Sequence, residues 1–326
     1  MRLGSTELTY GLFLAPLAGY TDMAMRKTAR KYGAEMTVSE MVSARALCYG
    51  DKKTPMLARV YADELPMAVQ IFGSEPAYMA EGAQIVARGM AGGVAPTAID
   101  INMGCPVKKI VSSGDGSALM KDPALVYDIV KAVVNAVALP VTVKIRAGFD
   151  EQHKNAVEVA LAAEEAGAAL VAVHGRTKAQ MYSGVADYGI IANVKDALRI
   201  PVVGNGDIFS AADALRMKRE TACDGMMVGR GAVGNPFLFA EIRAALAGQT
   251  YIPPTPKERM ETALFALRLA VEEKGEREAV LSSRKQFADY ASGLRGASAL
   301  RASAHRAETY AEMETLAREF LSADND

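Results

Sequence analysis

The chain has 326 residues, half of them hydrophobic, with a formal net charge of −1, no tryptophan and three cysteines. That length suits one large domain with a smaller one appended. The near-neutral total excludes a globally polycationic nucleic-acid binder and leaves only a local patch for such a partner. Cys48, Cys105 and Cys223 are odd in number, far apart and without a C-x-x-C pair, which speaks against a disulfide framework, a zinc ribbon or an iron–sulfur site. Reduced thiols, the lack of a signal-peptide pattern and the lack of an apolar run of membrane-spanning length predict a soluble cytoplasmic protein with no membrane partner.

Along the chain one unit recurs: a short apolar run ends in glycine or polar residues, and a helical pattern follows. The runs are Leu12 to Ala15, Met36 to Val38, Met67 to Ile71, Ala98 to Ile101, Val141 to Ile145, Leu170 to Val173, Pro201 to Val203 and Gly225 to Val228. Helical patterns lie between them, among them Met23 to Tyr32, Glu75 to Arg88, Pro123 to Val137, Lys154 to Glu165, Tyr188 to Ala197 and Ala211 to Lys218. Continuously apolar runs imply strands buried on both faces, and regular alternation implies parallel pairing. Eight such units in about 240 residues predict an α/β fold of the TIM (β/α)8 type. No G-x-G-x-x-G opens a first βα unit, so an open dinucleotide-binding sheet loses its usual support.

At Tyr251 to Pro256, YIPPTP, three prolines interrupt the pattern, and Thr255 with Glu258 can form a capping box. Met260, Leu264, Leu267 and Val271 then recur at helical spacing, and further helical stretches run from Glu276 to Ser292, Ala297 to His305 and Glu308 to Leu321. This predicts a barrel domain over residues 1–250 and a helical bundle over residues 251–326.

Catalytic groups of such barrels come from the carboxyl ends of strands, and those ends are polar here. DINMGCPVKKI (Asp100 to Ile110) has the form of a buried strand running into a stiff loop: Gly104 permits the turn and Pro106 fixes φ just after the Cys105 thiol. Strand 3 ends at Gln70, strand 4 at Asn102, strand 5 in Lys144 and Arg146, and strand 6 in His174-Gly175-Arg176. The turns Asn205-Gly206-Asp207 and Gly229-Arg230-Gly231 lie where these barrels commonly hold a phosphate on backbone N–H groups, with Arg230 adding charge. Lys144, in the apolar run VTVKI, needs an anionic neighbour: either a carboxylate such as Asp100 or an electron-rich cofactor ring. SGDGS (Ser113 to Ser117) lacks the G-K-[ST] ending of a phosphate loop and reads as a flexible continuation of the Cys105 loop. His153, His174 and His305 are dispersed, so no metal site is expected.

These segments resemble the tRNA-dihydrouridine synthases, and the cysteine motif is most similar to their bacterial B-type branch. The resemblance is carried by LAPLAGYTD (Leu14 to Asp22), DINMGCPVKKI, GSALM (Gly116 to Met120), VKIRAG (Val143 to Gly148), VHGRT (Val173 to Thr177), GNGDI (Gly204 to Ile208) and GRGAVGNP (Gly229 to Pro236). It implies FMN as cofactor, NADPH (or NADH) as reductant and tRNA as partner, with a monomer expected. Pro16, Leu17 and Ala18 would line the flavin. Gln70, Lys144 and His174 would contact its ring system, and Asn205, Gly206, Asp207, Gly229 and Arg230 would hold its phosphate. Hydride would pass from reduced flavin to C6 of a D-loop uridine, and Cys105 would give the proton to C5, yielding 5,6-dihydrouridine. The helical tail would bind tRNA through Arg284, Lys285 and Arg295, near Arg301 and Arg306, while Asn102, Lys108, Lys109 and Arg176 would meet it at the mouth together with Lys178. Gln286, Asp289 and Met25 depart from residues common in that family.

Two rival readings remain at this level: an FMN barrel acting on a small pyrimidine, which would not need the basic tail, and a catalytically idle tRNA-binding protein, which would not need Cys105.

Overall fold

Eight parallel strands close into a barrel in the computed structural model, which describes residues 1–51 and 54–323. They are β1 (Leu12–Leu14), β2 (Met36–Val38), β3 (Met67–Phe72), β4 (Ala98–Asn102), β5 (Val141–Gly148), β6 (Leu170–Thr177), β7 (Val202–Asn205) and β8 (Gly225–Val228). Hydrogen bonding runs from β3 through β4, β5, β6, β7, β8 and β1 to β2, and β2 pairs with β3 to shut the ring. Each strand is followed by a helix: α1 (Met23–Lys31), α2 (Ala44–Cys48), α3 (Pro76–Ala87), α4 (Pro123–Ala136), α5 (Ala156–Glu165), α6 (Tyr188–Ala197), α7 (Ala211–Thr221) and α8 (Leu238–Leu246). This is the TIM barrel expected from the alternation.

The strands do alternate, in a way the apolar runs conceal. Outward positions such as Val69, Ile71, Ile99, Ile101, Val143, Ile145, Val171 and Val173 join the helices in one buried cluster. Inward positions split by depth. Phe13, Met36, Ala68, Ala98, Leu170, Val203 and Met227 form an apolar interior plug. Nearer the carboxyl ends, the same inward phase carries Gln70, Asp100, Asn102, Thr142, Arg146, His174 and Asn205, all buried. A side-chain period of two therefore delivers every polar strand-end group to one mouth. The far end is stoppered by a hairpin that the sequence reading missed, Arg2–Leu3 against Thr6–Glu7, whose Leu3 is buried in the plug along with Leu8.

Beyond Tyr251 come four helices: α9 (Pro256–Lys274), α10 (Glu276–Asp289), α11 (Ala297–Ala304) and α12 (Tyr310–Ala323). The Thr255–Glu258 capping box starts α9 as expected, with the Thr255 N–H donating to Glu258 at 2.7 Å. Met260, Leu267, Val280, Phe287, Leu300, Met313 and Phe320 build a second core. Phe237, which precedes α8, enters this core, and Tyr32 packs edge-on against it at 4.5 Å. The Tyr32 hydroxyl meets Thr262 at 2.7 Å, and Lys274 ion-pairs with Asp22, the N-cap of α1. Gly234, at φ +66°, would place a Cβ 2.6 Å from Asp289 backbone, so a glycine is needed for the tail to seat.

Under the first helix, Arg26 and Glu64 pair at 2.8 Å with side chains only 3% and 0% exposed. Arg26 also donates to the Thr21 carbonyl, and Glu64 accepts the Tyr61 N–H. Replacing one member of such a pair strands the other charge in a dry site. Arg26→Met is expected to lower unfolding stability by about 3–5 kcal/mol, measured by urea denaturation. An unchanged midpoint would show that Glu64 is satisfied without its cation.

Candidate functional site

The mouth opens into a cavity of about 1050 Å³ lined by strand-end residues and by the near face of the tail. Its floor is apolar: Ala15, Pro16, Leu17, Ala18 and Met227. The Pro16–Ala18 turn is fixed because the Leu17 N–H donates to the Thr21 hydroxyl at 2.9 Å and the Leu17 carbonyl accepts from the Tyr20 N–H.

On one wall a chain of side-chain amides sets the geometry. Asp100, 3% exposed, accepts from Thr142 at 2.5 Å and from the Gln70 amide nitrogen at 2.6 Å. The Gln70 oxygen accepts from Asn102 at 2.7 Å, and the Asn102 oxygen accepts from the Cys105 N–H at 2.9 Å. A carboxylate that only accepts thus dictates which way each amide faces, down to the backbone of the cysteine. Burial lifts the Asp100 carboxyl to about 6, against the opposing pull of its two hydrogen bonds and of Lys144.

Cys105 is half-buried and held on both sides. Its carbonyl accepts from the Ser117 N–H and hydroxyl at 3.1 and 2.9 Å. The Gly104 carbonyl accepts from Arg146 Nε at 2.7 Å. The Ser113–Ser117 segment is therefore no flexible continuation of this loop: it leads into a 3-10 helix, Gly116–Lys121, with Ser117 fully buried against the cysteine. Burial raises the Cys105 thiol above its usual value, while the Val107 N–H, Arg146 and Lys144 pull it down. The group present at neutral pH is the protonated thiol, with two cations placed to steady the thiolate it leaves on giving up the proton.

The adjoining strand ends are cationic. Lys144 donates to Asn205 Oδ1 at 3.1 Å, and Asn205 is turned by its own donation to the Met227 carbonyl at 2.7 Å. Burial and the neighbouring Arg146 lower the Lys144 ammonium to about 8. His174, 8% exposed, is driven well below its usual range by burial and by Lys144, Arg146, Arg176 and Arg230, so it is a neutral imidazole. Gly206, at φ +129°, has no room for a Cβ, which would lie 2.7 Å from Ala186. A Cβ at Gly229 would meet the Ala15 and Leu17 side chains at ordinary contact distances of 3.7 and 3.8 Å. Arg230 leans on Asp207 at 3.3 Å and lies 5.1 Å from the Tyr182 ring.

Most of the residues expected at the mouth converge there, with corrections. Arg176 is 2% exposed: it donates to the Ser183 and Gly184 carbonyls and pairs with Asp207 at 2.8 Å, so it braces the wall from behind and does not face solvent. Asp207 is correspondingly occupied by two arginines. Lys108 and Lys109 are exposed on a single turn, Lys108–Val111, just outside the cavity. Of the tail cations, Lys285 reaches the mouth and meets the Tyr20 hydroxyl at 2.9 Å. Arg284 instead donates to the Ala307 carbonyl inside the bundle, and Arg295 is exposed between α10 and α11. Asp289 lines the cavity and accepts from Arg301 at 3.3 Å. Site residues absent from the expectation include Ser117 and Tyr182, whereas Arg146, expected at the end of strand 5, does line the cavity. Arg146 lies two positions beyond Lys144 on β5, in the same inward phase of the strand; Tyr182 carried no signal. Among the described residues no cluster suited to a metal ion occurs, and no helix is long and apolar enough to cross a membrane.

Comparison with known proteins gives a consistent result. The family model described as dihydrouridine synthase matches residues 13–324. The chain is 40% identical to a probable tRNA-dihydrouridine synthase of Treponema pallidum, covering 98% of this chain and 95% of that protein. It is likewise 40% identical to tRNA-dihydrouridine synthase B of Pseudomonas aeruginosa, covering 100% of this chain and 97% of that one. Among solved structures, a 6-hydroxypseudooxynicotine amine oxidase from Pseudomonas geniculata superposes with a TM-score of 0.58 at 15% identity, over 76% of this chain. The chain spans about half (49%) of that structure's length, and the likeness concerns the barrel fold.

Two titrations check this geometry. Alkylation of Cys105 followed across pH, peptide by peptide, is expected to show a midpoint above that of an ordinary thiol, and Lys144→Met should move it higher still. A midpoint at or below the ordinary value would contradict the buried, protonated group. For Lys144 itself, the folded chain binds fewer protons than the unfolded one between about pH 8 and 10.5, so stability rises with pH across that window. Lys144→Met should remove that rise and add about 1–2 kcal/mol at pH 7. Urea unfolding at both ends of the window measures it, and no gain at pH 7 would mean that Asn205 compensates the charge fully.

Proposed function

Because the chain belongs to the dihydrouridine synthase family, we propose that it is a tRNA-dihydrouridine synthase, reducing the C5=C6 bond of a D-loop uridine in tRNA with FMN as cofactor and NADPH or NADH as reductant. The observation that carries this reading is the placement of Cys105, its loop fixed by Asn102, Ser117 and Arg146, in a cleft that also gathers the apolar Ala15–Ala18 turn and the cationic Lys144, Arg146 and Arg230.

The residues fit a flavin mononucleotide. Pro16, Leu17 and Ala18 offer an apolar floor for a planar ring system. Gln70, Lys144 and neutral His174 supply polar groups along it, and the Gly206 and Gly229 turns with Arg230 supply backbone N–H groups and charge for a phosphate. When bound, FMN supplies the two-electron chemistry that side chains lack.

The chain's own residues do the rest. Asn102 and Ser117 hold the cysteine in place, and Cys105 Sγ gives a proton to the uracil C5. Arg146 and Lys144 stabilise the thiolate left behind until solvent reprotonates it. A uridine reaches the thiol only by leaving its stack, which a loop nucleotide does at low cost. In this reading residues 1–250 form the catalytic barrel and residues 251–326 the tRNA-binding unit, with Lys285 and Arg295 rather than Arg284 facing RNA. The match of the P. aeruginosa relative over the whole chain, tail included, supports tRNA over a free pyrimidine as substrate.

The test is anaerobic. Reduced flavin in the purified protein should be reoxidised by unmodified tRNA and not by tRNA already carrying dihydrouridine. Reoxidation by free pyrimidines alone would favour a small-molecule reductase. Cys105→Ala should retain its flavin yet lose about 10²-fold or more in the rate with tRNA, and an undiminished rate would place the acid elsewhere.

A further inference from the structure

Outside the cleft, two lysines converge on one aromatic ring. Lys121 Nζ lies 3.7 Å from the centroid of Phe149 and Lys178 Nζ lies 4.8 Å from it. The two come from segments far apart in sequence, and backbone bonds tie the Lys178 segment to that of Phe149. Lys178 N–H donates to the Gly148 carbonyl at 2.9 Å, and Ala179 N–H to the Phe149 carbonyl at 3.0 Å. Each ammonium gains from the ring face, but two like charges gathered there repel.

No acid relieves them. Among the described residues neither ammonium has an ion-pair partner. Asp122, next to Lys121, caps α4 by accepting from the Leu125 N–H. Asp150, next to Phe149, accepts from His153 and from the Gln152 N–H. Glu151 is taken by Lys154. The pair is a concentration of positive charge with no counter-charge among the described side chains.

Its place in the fold names the anion. Lys121 ends the 3-10 helix whose Ser117 grips Cys105, and Lys178 follows β6, four residues before Tyr182 in the cleft wall. Neither lysine lines the cleft. An anion held there belongs to a chain extending past the mouth, whereas Lys285 on Tyr20 offers a cation on the tail side. We propose that Lys121 and Lys178, backed by Phe149, form a clamp for a backbone phosphate of the RNA whose uridine enters the cleft, a barrel-borne contact complementing the helical tail; this rests on the tRNA reading above. Phosphate contacts of this kind position a strand without reading its sequence.

The experiment uses the full-length, flavin-loaded protein and an unmodified tRNA transcript. Affinity is measured across salt concentrations for the parent, for Lys121→Gln with Lys178→Gln, and for a charge-matched control, Lys131→Gln with Lys218→Gln on α4 and α7. The clamp variant should bind about tenfold more weakly near 0.1 M salt and show a log–log salt slope shallower by about 2, one for each lysine. Flavin content and flavin reduction by the dinucleotide should match the parent, and the control should keep the parent slope. A parent-like slope in the clamp variant overturns the clamp alone, and an equal loss in the control reduces the effect to net charge. A weakened response to the dinucleotide with tRNA affinity intact would assign the site to the reductant's phosphate instead. A parent that does not bind tRNA overturns the clamp and the proposed function together.

Discussion

A closed parallel barrel admits every second side chain of each strand to its interior, and a polar group placed there must find a partner inside or at the rim. In this chain the constraint is met by one connected set of hydrogen bonds, from Thr142 and Asp100 through Gln70 and Asn102 to the backbone of Cys105. The register permits it, because Gln70 lies opposite Asp100 across β3 and β4, and Asn102 opposite Lys144 across β4 and β5. Removing the acceptor at the bottom of this set would leave each amide above it free to turn. The position of the thiol is thus a property of the barrel wall as much as of its own loop.

The buried arginines serve the same order from the other side. Arg146 joins the Gly104 carbonyl to those of Thr177 and Met181, tying the Cys105 loop to the loop after β6. Arg176 does the corresponding job between that loop and Asp207 after β7. Guanidinium groups suit this task because one planar fork reaches several carbonyls at once, which an ammonium cannot do with fixed geometry. The electrostatic consequence is shared: burial, and with it four cations around His174, keeps its imidazole neutral, and the same concentration of charge makes the wall attractive to an electron-rich ring or a phosphate.

The barrel was legible because its outward positions are β-branched and its runs are short and evenly followed by helical patterns. The mouth was legible in part because Lys144 and Cys105 stand out against apolar or glycine-rich neighbours. What escaped did so for physical reasons. The inward alternation is masked because Ala98, Leu170 and Ala172, deep in the plug, are as apolar as the outward Ile99 and Val171. Arg176 looked solvent-facing, yet it shares the inward phase of His174 two residues earlier. Arg284 looked like part of a basic face, yet it sits four residues after Val280 and three before Phe287, both in the bundle core. The Ser113–Ser117 segment has the composition of a mobile loop, and its order comes from a contact with Cys105 that local sequence does not encode. The hairpin at Arg2–Glu7 is made of two-residue strands too short to carry any period.

That hairpin has a kinetic implication. With Leu3 and Leu8 seated in the plug, the barrel is a blind well with a single doorway. Under the proposed function, a dinucleotide and a folded RNA could not approach the floor from opposite ends, so they would take turns. One would depart before the other arrived, and the protein would hold what the first delivered through the interval. A well closed at its base is suited to that waiting, because bulk water too can reach the floor from one side only.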